Sequence, residues 1–201
     1  MKKVVFLLAA LLLTLSVRAA QEPHVKFMGL PLTGVASTLE KKLIAKGLVA
    51  DTDYNMQKTV TAHRFYGEFM GHDATIFLFF NSKNKKVYQA KVVLEEYDSE
   101  VMEKLYLEMV EKMRDENGNS FADEGEQNGH PNYSIYLKKF PEDKRYRASR
   151  SLGHIDIFRI DNPDGAAIYT LHIDYIDKMN YEMNELILKG INPNTKKKKK
   201  H

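Results

Sequence analysis

Apolar and polar positions along the chain alternate in two rhythms, and the switches between them mark the expected elements. From Val35 to Lys46, Val35, Leu39 and Leu43 recur on one face of a helix. Thr33 stands where it can cap the first amides, and Gly47 where a helix ends in a left-handed residue. Residues 48–61 are rich in Asp, Asn and Thr and read as a loop. Period-two alternation then predicts strands over His63–Met70, Ala74–Phe80 and Lys86–Glu95, turned by Gly71-His72-Asp73 and by Asn81 to Lys85. A second helix opens at Ser99, beside Asp98 and Glu100, and places Met102, Leu105, Tyr106, Met109 and Met113 on one side, the pattern of a core stripe.

After a polar stretch from Asp115 to Pro131, strands are expected at Asn132–Lys139, Gly153–Ile160 and Ala166–Ile176. Asp161-Asn162-Pro163-Asp164-Gly165 makes a turn between the last two, and Lys178 to Leu188 a closing helix stopped by Gly190. Two helix-plus-three-strand units predict a pseudo-duplicated α+β domain. Its antiparallel sheet carries helices on one face and leaves the other open.

The amino terminus has a different grammar. Lys2 and Lys3 precede the apolar run Val4–Leu15, and Ser16 to Ala20 supplies small residues around Arg18. This is the pattern of an export signal cut after Ala19, at a run shorter than the ~20 residues needed to cross a bilayer. Expected boundaries are a signal peptide at 1–19, one domain at 20–195, and a disordered lysine tail at 196–201. The expected location is periplasmic or extracellular. The chain contains no Cys, which excludes disulfides, thiolate catalysis and Cys-ligated metal sites.

Charge then changes meaning. The whole chain carries +3, but the leader holds three basic residues and no acid, so the remainder is neutral. Lys196–Lys200 supply five of the remaining positive charges, which leaves an acidic body. A nucleic-acid surface needs clustered basic charge on the folded body, and none is expected here. The basic stretch Lys138, Lys139, Lys144, Arg145, Arg147 and Arg150 is broken by Tyr146 and acids and reads as a solvated connection.

Candidate chemistry comes from the open face. Centring the first hairpin on His72 and Asp73 puts Phe69 opposite Ile76. Phe65, Phe69, Ile76, Leu78, Phe80, Tyr88, Ala90, Val92 and Leu94 then lie on the helix-covered side. The opposite side receives Tyr66, Met70, Phe77, Phe79 and Val87, with Arg64, Glu68 and Lys91 at its rim. Aromatic residues inside a charged rim have the composition of a protein-binding surface. Arg64, Tyr66, Met70, Phe77, Phe79, Val87 and Lys91 are therefore the candidate partner site. The same patch also suits burial under the chain's own closing helix or under the 115–131 loop, or self-association as a homodimer.

On the second hairpin, pairing Ile160 with Ala166 sets His154 opposite His172 and gathers His154, Asp156, His172 and Asp174 on the open side. That is a candidate divalent-metal site, for zinc or calcium, or an acid–base cluster of hydrolytic use, and otherwise a hydrated polar face. Asp115, Asn117, Asn119 and Glu126 match calcium-loop positions, but Ser120 replaces the turn glycine. No Gly-rich phosphate loop, His-Glu-x-x-His or Gly-x-Ser-x-Gly occurs, and no cofactor is expected.

A family resemblance adds to this reading. Phe27-Met28-Gly29-Leu30-Pro31-Leu32-Thr33-Gly34, then Ala45-Lys46-Gly47-Leu48, Tyr66-Gly67-Glu68-Phe69-Met70-Gly71 and Asn84-Lys85-Lys86-Val87-Tyr88 stand in one half of the chain. Together they resemble a group of exported bacterial proteins whose layout is similar to the β-lactamase-inhibitor-like and PepSY-like folds. The resemblance implies a non-enzymatic protein that works by binding a protein, peptide or envelope polymer. It transfers no functional residue.

Overall fold

The computed structural model describes residues 24–57, 61–117, 121–127, 130–138, 151–161 and 168–192. The expected signal peptide, the lysine tail and most of the basic 138–150 stretch lie outside the described residues.

The fold is α+β, with one large antiparallel sheet and a small two-stranded one. Strands β1 (Lys26–Phe27) and β2 (Leu30–Pro31) form a tight hairpin ahead of α1 (Ala36–Ile44). Next come β3 (Val49–Ala50), a one-turn helix α2 (Thr52–Asn55), and the meander β4 (Ala62–Phe69), β5 (His72–Phe80), β6 (Val87–Glu96). Helix α3 (Ser99–Glu116) leads to β7 (Phe121–Gln127), β8 (His130–Lys138), β9 (Ser151–Asp161) and β10 (Tyr169–Asp177), and α4 (Lys178–Leu188) follows β10 directly. The large sheet runs β3-β4-β5-β6-β10-β9-β8-β7. Each unit's meander ends in a strand, β6 or β10, and those two strands pair at the centre.

Helices α1 and α3 are amphipathic and cover one face. Ala36, Leu39 and Leu43 of α1 are buried, as are Met102, Leu105, Tyr106, Met109, Val110 and Met113 of α3. They meet Phe65, Phe69, Ile76, Leu78, Ala90, Val92, Leu94, Ile155, Ile157, Leu171 and Ile173 in one core. Asp98 caps α3 by accepting from the amides of Glu100 and Val101 at 2.7 and 3.1 Å. Thr33, expected to cap α1, does not; the amide of Ala36 donates to the Lys85 carbonyl at 2.9 Å. The start of α1 is thus satisfied by backbone from the β5–β6 turn. Gly47 ends the helix segment at φ +100°, as expected.

Two stretches expected as loops are structured. Residues 48–61 hold β3 and α2, where the Asp51 carboxylate accepts from the Tyr54 amide at 3.0 Å. Residues 121–127 form the edge strand β7, with Glu126 opposite Pro131. Asn119 lies outside the described residues.

Both hairpin registers differ from expectation by four residues. Phe65 faces Ile76, because the β4–β5 turn is Met70-Gly71 alone, and Ile160 faces Thr170. Side chains alternate with a period of two, so a shift of four changes neighbours and preserves faces. A bulge changes faces: Phe79 pairs with Gln89 and Phe80 with Val87, leaving Tyr88 as the extra residue. Val87, expected on the open face, is fully buried in the core, and Tyr88, expected in the core, turns outward.

The two short turns repeat one motif. Phe27-Met28-Gly29 and Phe69-Met70-Gly71 each place Met and Gly at positive φ, 48° and 75° in one, 53° and 91° in the other. This is the type I′ pattern, which favours Asn, Asp or Gly at its first position. Holding Met there costs about 1–2 kcal/mol each. Phe27 and Phe69 stack with centroids 6.0 Å apart.

Two polar contacts join segments far apart in the chain. One Asp177 carboxylate oxygen meets His24 Nδ1 at 2.9 Å and accepts from the Val25 amide at 3.0 Å. Its other oxygen caps α4 through the Asn180 amide at 3.0 Å. Asn81 donates to the Asn184 side-chain oxygen at 2.7 Å, seating α4 against the β5–β6 turn.

Candidate binding face

The uncovered face of the sheet carries the candidate residues in cross-strand rows. One row reads Arg64, Phe77, Lys91, Asp174, Asp156, Ser134, Asp123 from β4 to β7. The next reads Ala62, Phe79, Gln89, Ile176, His154, Tyr136, and the one on the other side Tyr66, Thr75, Val93, His172, Phe158, Asn132. Alternation along each strand puts every one of these side chains opposite the core.

In the first unit this face is aromatic. Tyr54, Phe77, Phe79, Tyr88 and Tyr181 form a continuous run of rings, with successive centroids 6.3, 6.3, 6.5 and 5.8 Å apart. Tyr54 is supplied by α2 and Tyr181 by α4, so the run spans from one flanking helix to the other. Phe77 and Phe79 are half-buried and Tyr66 is 43% exposed, so none of the three is sealed beneath a helix of the chain.

The rim is held in place from within. Arg64 lies between the Tyr54 and Tyr66 rings, 4.4 and 5.6 Å from their centroids, a cation–π sandwich. Its Nε donates to Asp51 Oδ2 at 2.9 Å, and the Tyr66 hydroxyl donates to the same oxygen at 3.0 Å. The Tyr54 amide and Arg64 hold the Asp51 carboxyl below its usual range; Asp51 in turn raises the Tyr66 phenol. Asn55 clamps the Arg64 backbone from both sides, accepting from its amide at 2.6 Å and donating to its carbonyl at 3.1 Å.

The second unit's face is polar and largely paired within itself, although among the described residues the buried Nδ1 of His172 meets no hydrogen-bond partner. Asp174 accepts from Gln89 at 2.9 Å and lies 3.4 Å from the Lys91 ammonium. Burial raises its carboxyl despite both partners. Asp156 accepts from the Ser134 hydroxyl at 2.6 Å, and its other oxygen lies 3.2 Å from His154 Nε2. Burial pushes the Asp156 carboxyl up, and the His154 and Ser134 hydrogen bonds outweigh that to lower it. The His172 ring lies 5.2 Å from that of Phe158 and tilted to it, and its pKa falls to about 4, through burial first and the Lys91 charge second.

The register corrects the expected metal cluster. His154 faces Ile176 and His172 faces Phe158, while Asp156 faces Asp174. All four share the face, but the two imidazoles are not opposed. Among the described residues no group of three or more His, Asp or Glu could hold a metal ion. The Ser134–Asp156–His154 chain also has the carboxylate in the middle. A serine nucleophile needs the imidazole there to take its proton.

Of the seven candidate partner residues, Arg64, Tyr66, Phe77, Phe79 and Lys91 share the open face. Met70 sits in the β4–β5 turn and Val87 in the core. Asp51, Tyr54, Tyr88 and Tyr181 belong to the face and were not among the candidates. Asp51-Thr52-Asp53-Tyr54 carries a readable capping signal; nothing local announces the bulge that turns Tyr88 outward.

Among the described residues no helix is long and apolar enough to cross a membrane. Comparison with family models, with curated proteins and with solved structures found no match.

Proposed function

We propose that this is an exported protein that works by binding, and that the aromatic half of its open sheet face receives a polypeptide partner. The observation that carries the reading is the ring run Tyr54–Phe77–Phe79–Tyr88–Tyr181, left partly exposed between two flanking helices. Aromatic anchors that are rigid before binding lose little entropy on contact, and such residues dominate protein interfaces. The Asp51–Arg64–Tyr66 group supplies that rigidity at one edge and Lys91–Asp174 at another. Because Arg64 and Lys91 are already paired, the partner is recognised mainly through apolar area.

A photoreactive side chain placed at the exposed Tyr66, in cells that make the protein, tests this. The expected product is a cross-link to a different polypeptide, lost when Phe77→Asp is introduced. A cross-link only to a second copy of the chain, with a dimer in light scattering, would replace the reading by self-association. Cross-linking to polysaccharide alone would move the partner to an envelope polymer.

A further inference from the structure

A cleft of about 660 Å³ opens on the other side of the sheet, where the helices end. Phe69, Ile155 and Tyr175 line it as apolar and aromatic surface, and Met28 and Met70 line it from the two repeated turns. Lys26, Gly29, Lys46, Glu116 and Asn117 complete the lining. The volume is that of a small-molecule site.

Two independent observations point to a ligand. First, the Met side chains are the ones held at positive φ, in turns that would be easier with Asn. Both pack against the core edge and face the cleft, so the unfavourable backbone presents two adaptable thioethers to the same space. Second, Lys26 and Lys46 are exposed and, among the described residues, no carboxylate lies within ion-pair distance of either. Asn117 donates back to the Met113 carbonyl at 2.8 Å and is already used.

We infer that this cleft binds an amphipathic carboxylate, an apolar chain seated between Met28, Met70 and Phe69 with its anionic head at the Lys26–Lys46 rim. Helices α1 and α3 both end nearby, and their carbonyl ends together with Glu116 disfavour an anion deep inside. The head therefore stays at the rim and the tail goes in. This inference does not rest on the open-face reading, since the two sites use opposite sides of the sheet.

Calorimetric titration of the purified protein with laurate, below its micelle threshold, tests it against dodecanol and dodecyltrimethylammonium. Laurate is expected to saturate at one per chain and to bind at least roughly 10-fold tighter than either control. Lys26→Glu and Lys46→Glu each weaken laurate by roughly 5-fold, and Glu116→Gln tightens it by roughly 2-fold. All three side chains are exposed, so the fold tolerates the changes. Methionine methyl resonances locate the ligand: those of Met28 and Met70 move, and that of Met56, 76% exposed elsewhere, does not. No saturable heat, equal affinity for dodecanol, tighter binding of the cation, weakening by Glu116→Gln, or shifts that spare both turn methionines would each overturn the inference.

Discussion

The two halves of the open face are built on the same meander and meet at the β6–β10 seam, yet they solve opposite problems. On the first half, Phe77, Phe79 and Tyr88 leave apolar area toward solvent, and the nearby Asp51–Arg64 pair holds the edge rings Tyr54 and Tyr66. On the second, Asp156, Ser134 and His154 spend their hydrogen bonds on one another, and Asp174 spends its own on Gln89 and Lys91 across the seam. A polar surface whose partners are internal gains little from a ligand. An apolar surface with a fixed scaffold gains from any partner that covers it. The proposed binding role therefore falls to the first half and support to the second.

The largest expected effect attacks the support. Gly153 on β9 sits where a Cβ would meet the Ile176 carbonyl oxygen at 1.9 Å and Val25 at 2.5 Å. Gly153→Ala should cost about 4 kcal/mol by urea unfolding, because backbone must move. A loss under about 1 kcal/mol would mean that β9 and β10 separate easily and that the second half is not a rigid scaffold.

Next in size, Phe77→Asp with Phe79→Asp should weaken partner binding by about 100-fold, near 3 kcal/mol, while circular dichroism stays unchanged. Asp156→Ala should leave that affinity within about 3-fold. The reverse ranking would exchange the roles of the two halves.

A third contrast concerns pH. The folded pKa of His172 is depressed to about 4 from 6.5, so the unfolded chain binds more protons between those values and stability rises with pH across that window. Acidification from pH 7 to 4 should remove about 2 kcal/mol through this residue, after discounting for its partial exposure, and His172→Phe should abolish that part. The raised Asp174 carboxyl acts in the opposite sense, its contribution being lost as pH rises through the folded value. Asp174→Asn is therefore expected to steepen the rise of stability with pH, where His172→Phe flattens it. Urea midpoints at pH 4, 5.5 and 7 for both variants separate the two.

The smallest effect is at the β4–β5 turn of the aromatic half. Met70→Asn should stabilise by up to about 1 kcal/mol by easing the left-handed backbone. A thermal midpoint unchanged or lowered would show that the Met70 side chain's packing outweighs its backbone strain.

Much of the fold was legible in the sequence because its decisive signals are periodic. Val92, Leu94, Leu171 and Ile173 are buried where alternation puts them, and α4 spans Lys178–Leu188 as read. Both hairpin registers slipped by four without disturbing a face, since pairing partners depend on turn length and faces depend only on parity. What escaped lacks a period. Strand β3 has two residues, α2 has four, and β7 carries the sequence Phe-Ala-Asp-Glu-Gly-Glu-Gln, whose pairing with β8 no alternation announces. Of the candidate face, five residues were legible through parity, while Val87 and Tyr88 exchanged sides at a single bulge. The metal cluster failed for a related reason: co-facial residues were identified correctly, but proximity needs register.

The contact of Asp177 with His24 and Val25 has a consequence for the order of assembly. It joins groups 153 and 152 positions apart in the chain. Closing so long a span is slow, because its entropy is lost before any contact forms. The clasp from Asp177 therefore cannot close before β10 is made, whereas the stacking of Phe27 on Phe69 has no such requirement.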